Sequence, residues 1–191
     1  EDDTRPAAVV FSSQSQGGLF ACRCPFNPEG GLARRAAAIE ELRRDYDVTL
    51  VDSGGWMPGG VYDEMSAGEQ EAHKRARLVA QAYKEMDYDI LGAGEDDLAL
   101  GPKALGVVSG IPLVAGNIDG LSEGVEYKVL GDTAYISAVG ENFPTALYTK
   151  ARQLSASKPG EFLKDSITQA KEAGAEQVVL LFQMSEREAI A

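Results

Sequence analysis

Short apolar runs alternate with longer amphipathic runs along this chain, and that alternation restricts its fold more than any other feature. Residues 7–12 read as a buried strand. Residues 31–46 read as a helix, with Leu32, Ala36, Ile39 and Leu42 near one face and Arg34, Arg35, Glu40, Arg43 and Arg44 mostly elsewhere. A second strand is expected at 48–51. A long helix over 67–86 follows, its inner stripe formed by Leu78, Val79, Ala82 and Met86. A third strand at 89–92, a helical turn over 101–109 opened by Pro102, and a fourth strand at 112–115 continue the pattern. Residues 127–130 and 134–139 flank Gly131-Asp132-Thr133 as a hairpin. A helix over 159–173 stops at Gly174, and 178–182 form a last buried strand. Residues 120–124 and 155–160 are the most loop-like. Strands alternating with helices imply right-handed crossovers, hence an α/β fold with a mostly parallel sheet flanked by helices.

In such a sheet the working loops gather beyond the carboxyl ends of the strands. The loops at 14–25, 53–60, 93–100, 117–120 and 183–185 all follow expected strands. Gln14, Gln16, Gly55, Ala93, Asn117 and Gln183 should therefore converge on one sheet edge. Trp56-Met57-Pro58 either lines a pocket there or packs its loop onto the sheet. Asp96-Asp97 and Asp2-Asp3 read as solvated charge.

The 191 residues suit one domain with a sizeable core. A net charge of −12 argues against a nucleic-acid partner, which would need a basic surface. No apolar run approaches the ~20 residues that span a bilayer. With a single histidine, His73, set among charges in the long helix, no multi-histidine metal site can form.

Both cysteines lie in one tripeptide, Cys22-Arg23-Cys24, in the loop after the first strand. Three readings stand side by side. The pair could be a redox site, with Arg23 and the helix start near Gly31 lowering a thiol pKa below the free value of ~8.5. It could supply two soft ligands to a thiophilic metal. It could also be a structural disulfide or two inert thiols in a surface loop. Pro25 restricts Cys24 to extended conformations and keeps the loop from becoming helical.

Taken in order, several segments resemble a known family. They are Ser13-Gln14-Ser15-Gln16-Gly17, Gly30-Gly31-Leu32-Ala33-Arg34, Asp52-Ser53-Gly54-Gly55, Gly92-Ala93-Gly94-Glu95, Ile111–Ile118 and Leu180-Leu181-Phe182-Gln183-Met184. The pattern resembles the 5'-nucleotidase/UDP-sugar hydrolase (UshA-like) branch of the calcineurin-like metallophosphoesterases. The resemblance implies a four-layer αββα sandwich over residues 7–191 after a flexible lead-in at 1–6, with the second half of the family fold absent. It also implies an extracytoplasmic, periplasmic location.

In that family two metal ions activate a water and clamp the phosphate. The resemblance puts Gln14 at an Asp position, Gln16 at a His position and Gly55 at the bridging Asp. Ala93 and Gly94 stand at the Asn and His of the third loop, and Gln183 at the His of the last strand. None of these is a good ligand for a divalent transition metal. The Cys-x-Cys loop ahead of Gly-Gly-x-Ala-Arg is similar to that of selenocysteine-containing relatives.

The expectation is a degenerate domain without the dinuclear centre, with Cys22 and Cys24 as candidate thiol site and Arg23 as modulator of their pKa. No cofactor is expected beyond a soft metal at the thiols. An active phosphoesterase with ligands outside the chain, and a non-catalytic scaffold, are the alternatives. A shortened sandwich would expose an apolar face and favour homo-oligomers.

Overall fold

The computed structural model describes residues 5–22, 25–26, 29–60, 68–140 and 149–190. Arg23 and Cys24, the Asp2-Asp3 pair and the expected start of the long helix at 67 lie outside them.

Four parallel strands run in the order β1 (Ala7–Ser12), β2 (Asp47–Asp52), β3 (Ile90–Gly92), β4 (Leu113–Val114). Helices α1 (Leu32–Asp45) and α2 (Glu69–Glu85) make the crossovers. Alternation along the strands sorts the side chains onto two faces. Leu50, Leu91 and Leu113 join Val79, Ala80 and Tyr83 of α2 in the main core. Val51, Ile90 and Val114 belong to the opposite face.

There they meet Tyr135 and Leu181 of a second sheet. That sheet has the order β6 (Tyr127–Leu130), β7 (Thr133–Val139), β9 (Gln177–Gln183). The β6–β7 hairpin is antiparallel, whereas β7 and β9 pair in parallel. Helix α3 (Pro159–Glu172) covers its outer face through Ala170, against Ala134 and Val178. The result is a four-layer α/β/β/α arrangement. Two-residue strands β5 (Ile118–Asp119) and β8 (Ser155–Ala156) pair beside it, and the short α4 (Glu186–Ile190) follows β9.

Several expectations need correction. The segment at 155–160, expected as the most loop-like, contributes strand β8 before α3 begins at Pro159 as expected. Leu78, expected in the inner stripe of α2, is 51% exposed. The buried face of α2 instead consists of Ala72, Arg75, Ala76, Val79, Ala80 and Tyr83. Small residues there let the helix approach the sheet closely, and the Leu78 position falls off that stripe at 100° per residue.

Strand β1 alternates as well, but its second-sheet face has little above it. Val9 is 43% and Phe11 76% exposed, and a groove of about 270 Å³ runs between them and Leu180, Leu181 and Phe182 of β9.

Asn117 fastens the two sheets together. Its Nδ2 donates to the carbonyls of Val139 (2.8 Å) and Ser157 (2.8 Å), and its Oδ1 accepts the Val139 N–H (2.8 Å). The side chain is 1% exposed, so no water replaces a lost partner. Asn117→Ala should cost about 3 kcal/mol, the sum expected when several buried polar groups lose their partners. Urea denaturation measures it, and a loss under ~1 kcal/mol would show that the local backbone finds other partners.

Candidate functional site

The loops that leave β1 and β2 extend the parallel ladder beyond the strand ends. Gln14 N–H donates to Gly54 O (2.9 Å), Gln16 N–H to Gly55 O (2.8 Å) and Gly17 N–H to Trp56 O (3.0 Å). This holds Gln14 (φ 51°) and Gln16 (φ 46°) in the left-handed region, which side-chain-bearing residues seldom adopt. Such conformations persist only where surrounding structure enforces them.

The Gln14 side chain then reaches across to the second sheet, where its Nε2 donates to Gln183 Oε1 at 2.7 Å. Glycines form the floor beneath this pair. A Cβ on Gly55 would lie 2.6 Å from Gln14 Oε1, and one on Gly94 would lie 2.8 Å from Gln183 Oε1. A Cβ on Gly54 would lie 3.0 Å from Gln183 Cγ. Gln14, Gly55, Gly94 and Gln183 are thus brought together, with Gln183 arriving from the second sheet and not from the edge of the first.

The other expected positions do not join this cluster through their side chains. Gln16 is attached through its backbone, its carbonyl accepting from Arg75 Nη2 at 3.2 Å. Ala93 packs into the main core, and Asn117 is committed to the backbone around β7 and β8.

Two buried carboxylates shape the site from below. Asp97, expected to be solvated, is fully buried, and Asp96 is buried with it. Asp97 Oδ2 accepts the N–H of Gly55 (2.7 Å) and Gly94 (2.8 Å), and Oδ1 accepts that of Met57 (2.8 Å). One side chain therefore holds the β2 and β3 loops in register. Burial pushes its carboxyl up to about 7, against the pull of those three N–H donors.

Asp52, at the end of β2, is equally buried. Its Oδ2 accepts from Ser12 Oγ (2.6 Å) and Tyr83 Oη (2.9 Å), and its Oδ1 accepts Gly54 N–H (2.9 Å). Burial raises its carboxyl, and Ser12, Gly54, Tyr83 and Arg35 pull it back. Arg35, expected on the outer side of α1, turns inward. Its Nη1 donates to Tyr83 Oη (2.7 Å) and Tyr88 Oη (3.2 Å) and lies 4.0 Å from Asp52. The two phenol rings stack at 4.2 Å and 13°. Burial, and next the Asp52 charge, put the Tyr83 phenol well above its ordinary range, so it stays a neutral donor. Trp56 and Met57 are fully buried and pack the β2 loop down, Trp56 Nε1 donating to Gly92 O at 3.1 Å.

Beside α1 opens a cavity of about 860 Å³, lined among others by Gln14, Phe20, Cys22, Glu29, Gly31 and Arg35. The loop that carries Cys22 folds back through an antiparallel bridge between Ala21 and Gly30. The Cys22 N–H donates to Glu29 O (2.7 Å), and the Glu29 N–H donates to Cys22 Sγ at 3.0 Å. Cys22 is exposed. A backbone donor aimed at sulfur favours its thiolate form.

Gln14, Gln183 and the glycines around them offer no carboxylate, imidazole or thiolate to a metal ion. The amides of Gln14 and Gln183 are neutral and bonded to each other, and glycines take the neighbouring positions. Asp52 and Asp97 each already accept three hydrogen bonds from protein donors. Among the described residues, no three His, Cys, Asp or Glu side chains are placed to share a metal ion. His73 sits on the surface of α2, 3.6 Å from Glu69.

No protein-family profile and no curated protein matches this sequence. Solved structures are similar to it in fold. A 5'-nucleotidase precursor from Thermus thermophilus matches with a TM-score of 0.75 at 17% identity, over 95% of this chain and 38% of that one. NAD nucleotidase from Haemophilus influenzae matches at 0.78 and 14%, over 95% and 35%. The sulfate thiohydrolase SoxB of Thermus thermophilus matches at 0.73 and 15%, over 97% and 45%. The chain has the α/β fold of these enzymes and spans less than half the length of each.

The two tiers of this site should respond differently to mutation. Asp97→Ala strands three buried N–H groups and should cost about 3 kcal/mol or more in chemical denaturation. Gln183→Ala removes one exposed amide bond and should cost under ~1 kcal/mol. Equal costs would contradict this division of labour.

Proposed function

We propose that this chain is a degenerate metallophosphoesterase-fold domain whose chemistry has moved from a dinuclear metal centre to the thiols of the β1–α1 loop. The Gln14–Gln183 amide pair over Gly54, Gly55 and Gly94 carries this reading. It fills the place where the resemblance would put metal ligands, while Cys22 lines the cavity next to it. The fold neighbours support the scaffold: two of them are nucleotidases and one is a sulfate thiohydrolase.

In this reading Cys22 is the nucleophile, because the Glu29 N–H favours its thiolate. The thiolate attacks one sulfur of a small disulfide. An Sγ–S bond forms, the substrate S–S bond breaks, and the first half leaves as thiolate. Cys24 then attacks Cys22 Sγ and the second half leaves, so two electrons pass from the Cys22–Cys24 pair to the substrate. Arg23, between the two cysteines in sequence, carries a positive charge that would favour their thiolates. An extracytoplasmic location belongs to the same reading, since exchange of this kind runs where disulfides persist.

Two measurements test it. Protein purified without chelator should contain substoichiometric transition metal and should not hydrolyse an aryl phosphate; two equivalents of metal with phosphatase activity would overturn the degenerate assignment in favour of an active hydrolase. In glutathione buffers of graded potential, mass spectrometry should show Cys24→Ser accumulating a mixed disulfide on Cys22, and Cys22→Ser forming none. If both thiols alkylate at the rate of an unstructured cysteine peptide, the pair has no redox role.

A further inference from the structure

We propose that the cavity beside α1 is a seat for a small organic monoanion, a carboxylate or sulfonate on an apolar body, with Arg35 as its anchor. The inference rests on the reading of this cavity as the working site and names the ligand class it takes.

Arg35 carries a permanent charge and five N–H donors in a rigid fork. Only Nη1 is engaged, by Tyr83, Tyr88 and the nearby Asp52. Nε and Nη2 have no hydrogen-bond partner among the described residues, although the side chain is only 24% exposed and lines the cavity. The guanidinium is also held in place, with Cζ 5.6 Å from the centroid of the Tyr83 ring, which itself stacks on Tyr88. A fork fixed at one corner and open along one edge is built to give two parallel N–H bonds to one oxyanion, at small conformational cost.

The rest of the wall selects what the oxyanion is attached to. Phe20 is 77% exposed and stands with Ala21 on the cavity lining. An exposed aromatic there offers a stacking surface for an apolar body. The Gln14 amide adds a neutral polar group. The first turn of α1 has no side-chain cap, so its amide ends favour negative charge on the same side. The limit on charge comes from Glu29 on the lining and from the net charge of −12, which repel polyanions such as nucleoside di- and triphosphates.

The experiment is a calorimetric titration of the full chain carrying Cys22→Ser and Cys24→Ser, so its result does not depend on thiol chemistry. The seat can then fail while the thiols react, and the thiol reading can fail while the seat fills. The probes are benzoate, benzenesulfonate, benzyl alcohol, inorganic sulfate and adenosine triphosphate. Benzoate and benzenesulfonate should bind saturably and at least about tenfold more tightly than the other three, as a bidentate anchor with an apolar wall requires. Arg35→Lys keeps the charge opposite Asp52 and loses the fork, and should weaken binding about tenfold. Phe20→Glu alters an exposed side chain, leaves the Asp52 network intact and should weaken binding about as much. It decides the matter if the Lys variant fails to fold. Equal binding of benzyl alcohol, no saturable binding of either aromatic anion, or affinities unmoved by Phe20→Glu would overturn the proposal.

Discussion

A single buried carboxylate, Asp97, sets the geometry on which the site depends. It takes the N–H groups of Gly55, Met57 and Gly94, and so ties together two loops that leave neighbouring strands. Without it the glycine floor would have no fixed shape, because glycine itself imposes none. With it, Gly54, Gly55 and Gly94 present a flat surface that two glutamine side chains can cross. The desolvation that raises the Asp97 carboxyl is the cost of this arrangement, and the three N–H bonds are what offset it.

A second polar assembly lies between α1, α2 and the strand ends. Asp52, Tyr83, Tyr88, Arg35 and Ser12 share bonds in a cluster with its charges of opposite sign 4.0 Å apart. Arg35 belongs to both the cluster and the cavity, since its Nη1 bonds inward to Tyr83 and Tyr88 while the residue also lines the cavity. The same residue therefore stabilises the interior and addresses solvent, which is why its position in α1 matters more than its charge alone. The fold and the cavity are coupled through it.

The sequence made the scaffold legible where structure is set locally. The periods of α1, α2 and α3, the β6–β7 hairpin and the parallel strands follow from apolar spacing and turn residues within each segment. Convergence of Gln14 and Gly55 followed from strand topology. What escaped was set by partners far along the chain. Asp97 looked like surface charge because its Gly55 partner is 42 residues away. Arg35 sits beside Arg34 and looked like its exposed neighbour, yet only Arg35 faces Tyr83, 48 residues on. Leu78 looked like core by residue type and fell outside the narrow stripe that α2 uses. The pairing within the second sheet was hidden because β9 joins β7 across an intervening helix, a contact that no local pattern encodes.

The Gln14–Gln183 bond joins residues 169 positions apart, from the loop after the first strand to the end of the last. Closing a loop of that size costs entropy that one exposed amide bond cannot supply, so the contact must wait until both sheets have formed and stacked. It is therefore a late event in folding, and an early one to be lost when the sandwich breathes. A spectroscopic probe at Gln183 would report sandwich closure rather than strand pairing. The bridge between the two sheets at Gln14 and Gln183 would exist only in molecules whose sandwich has closed.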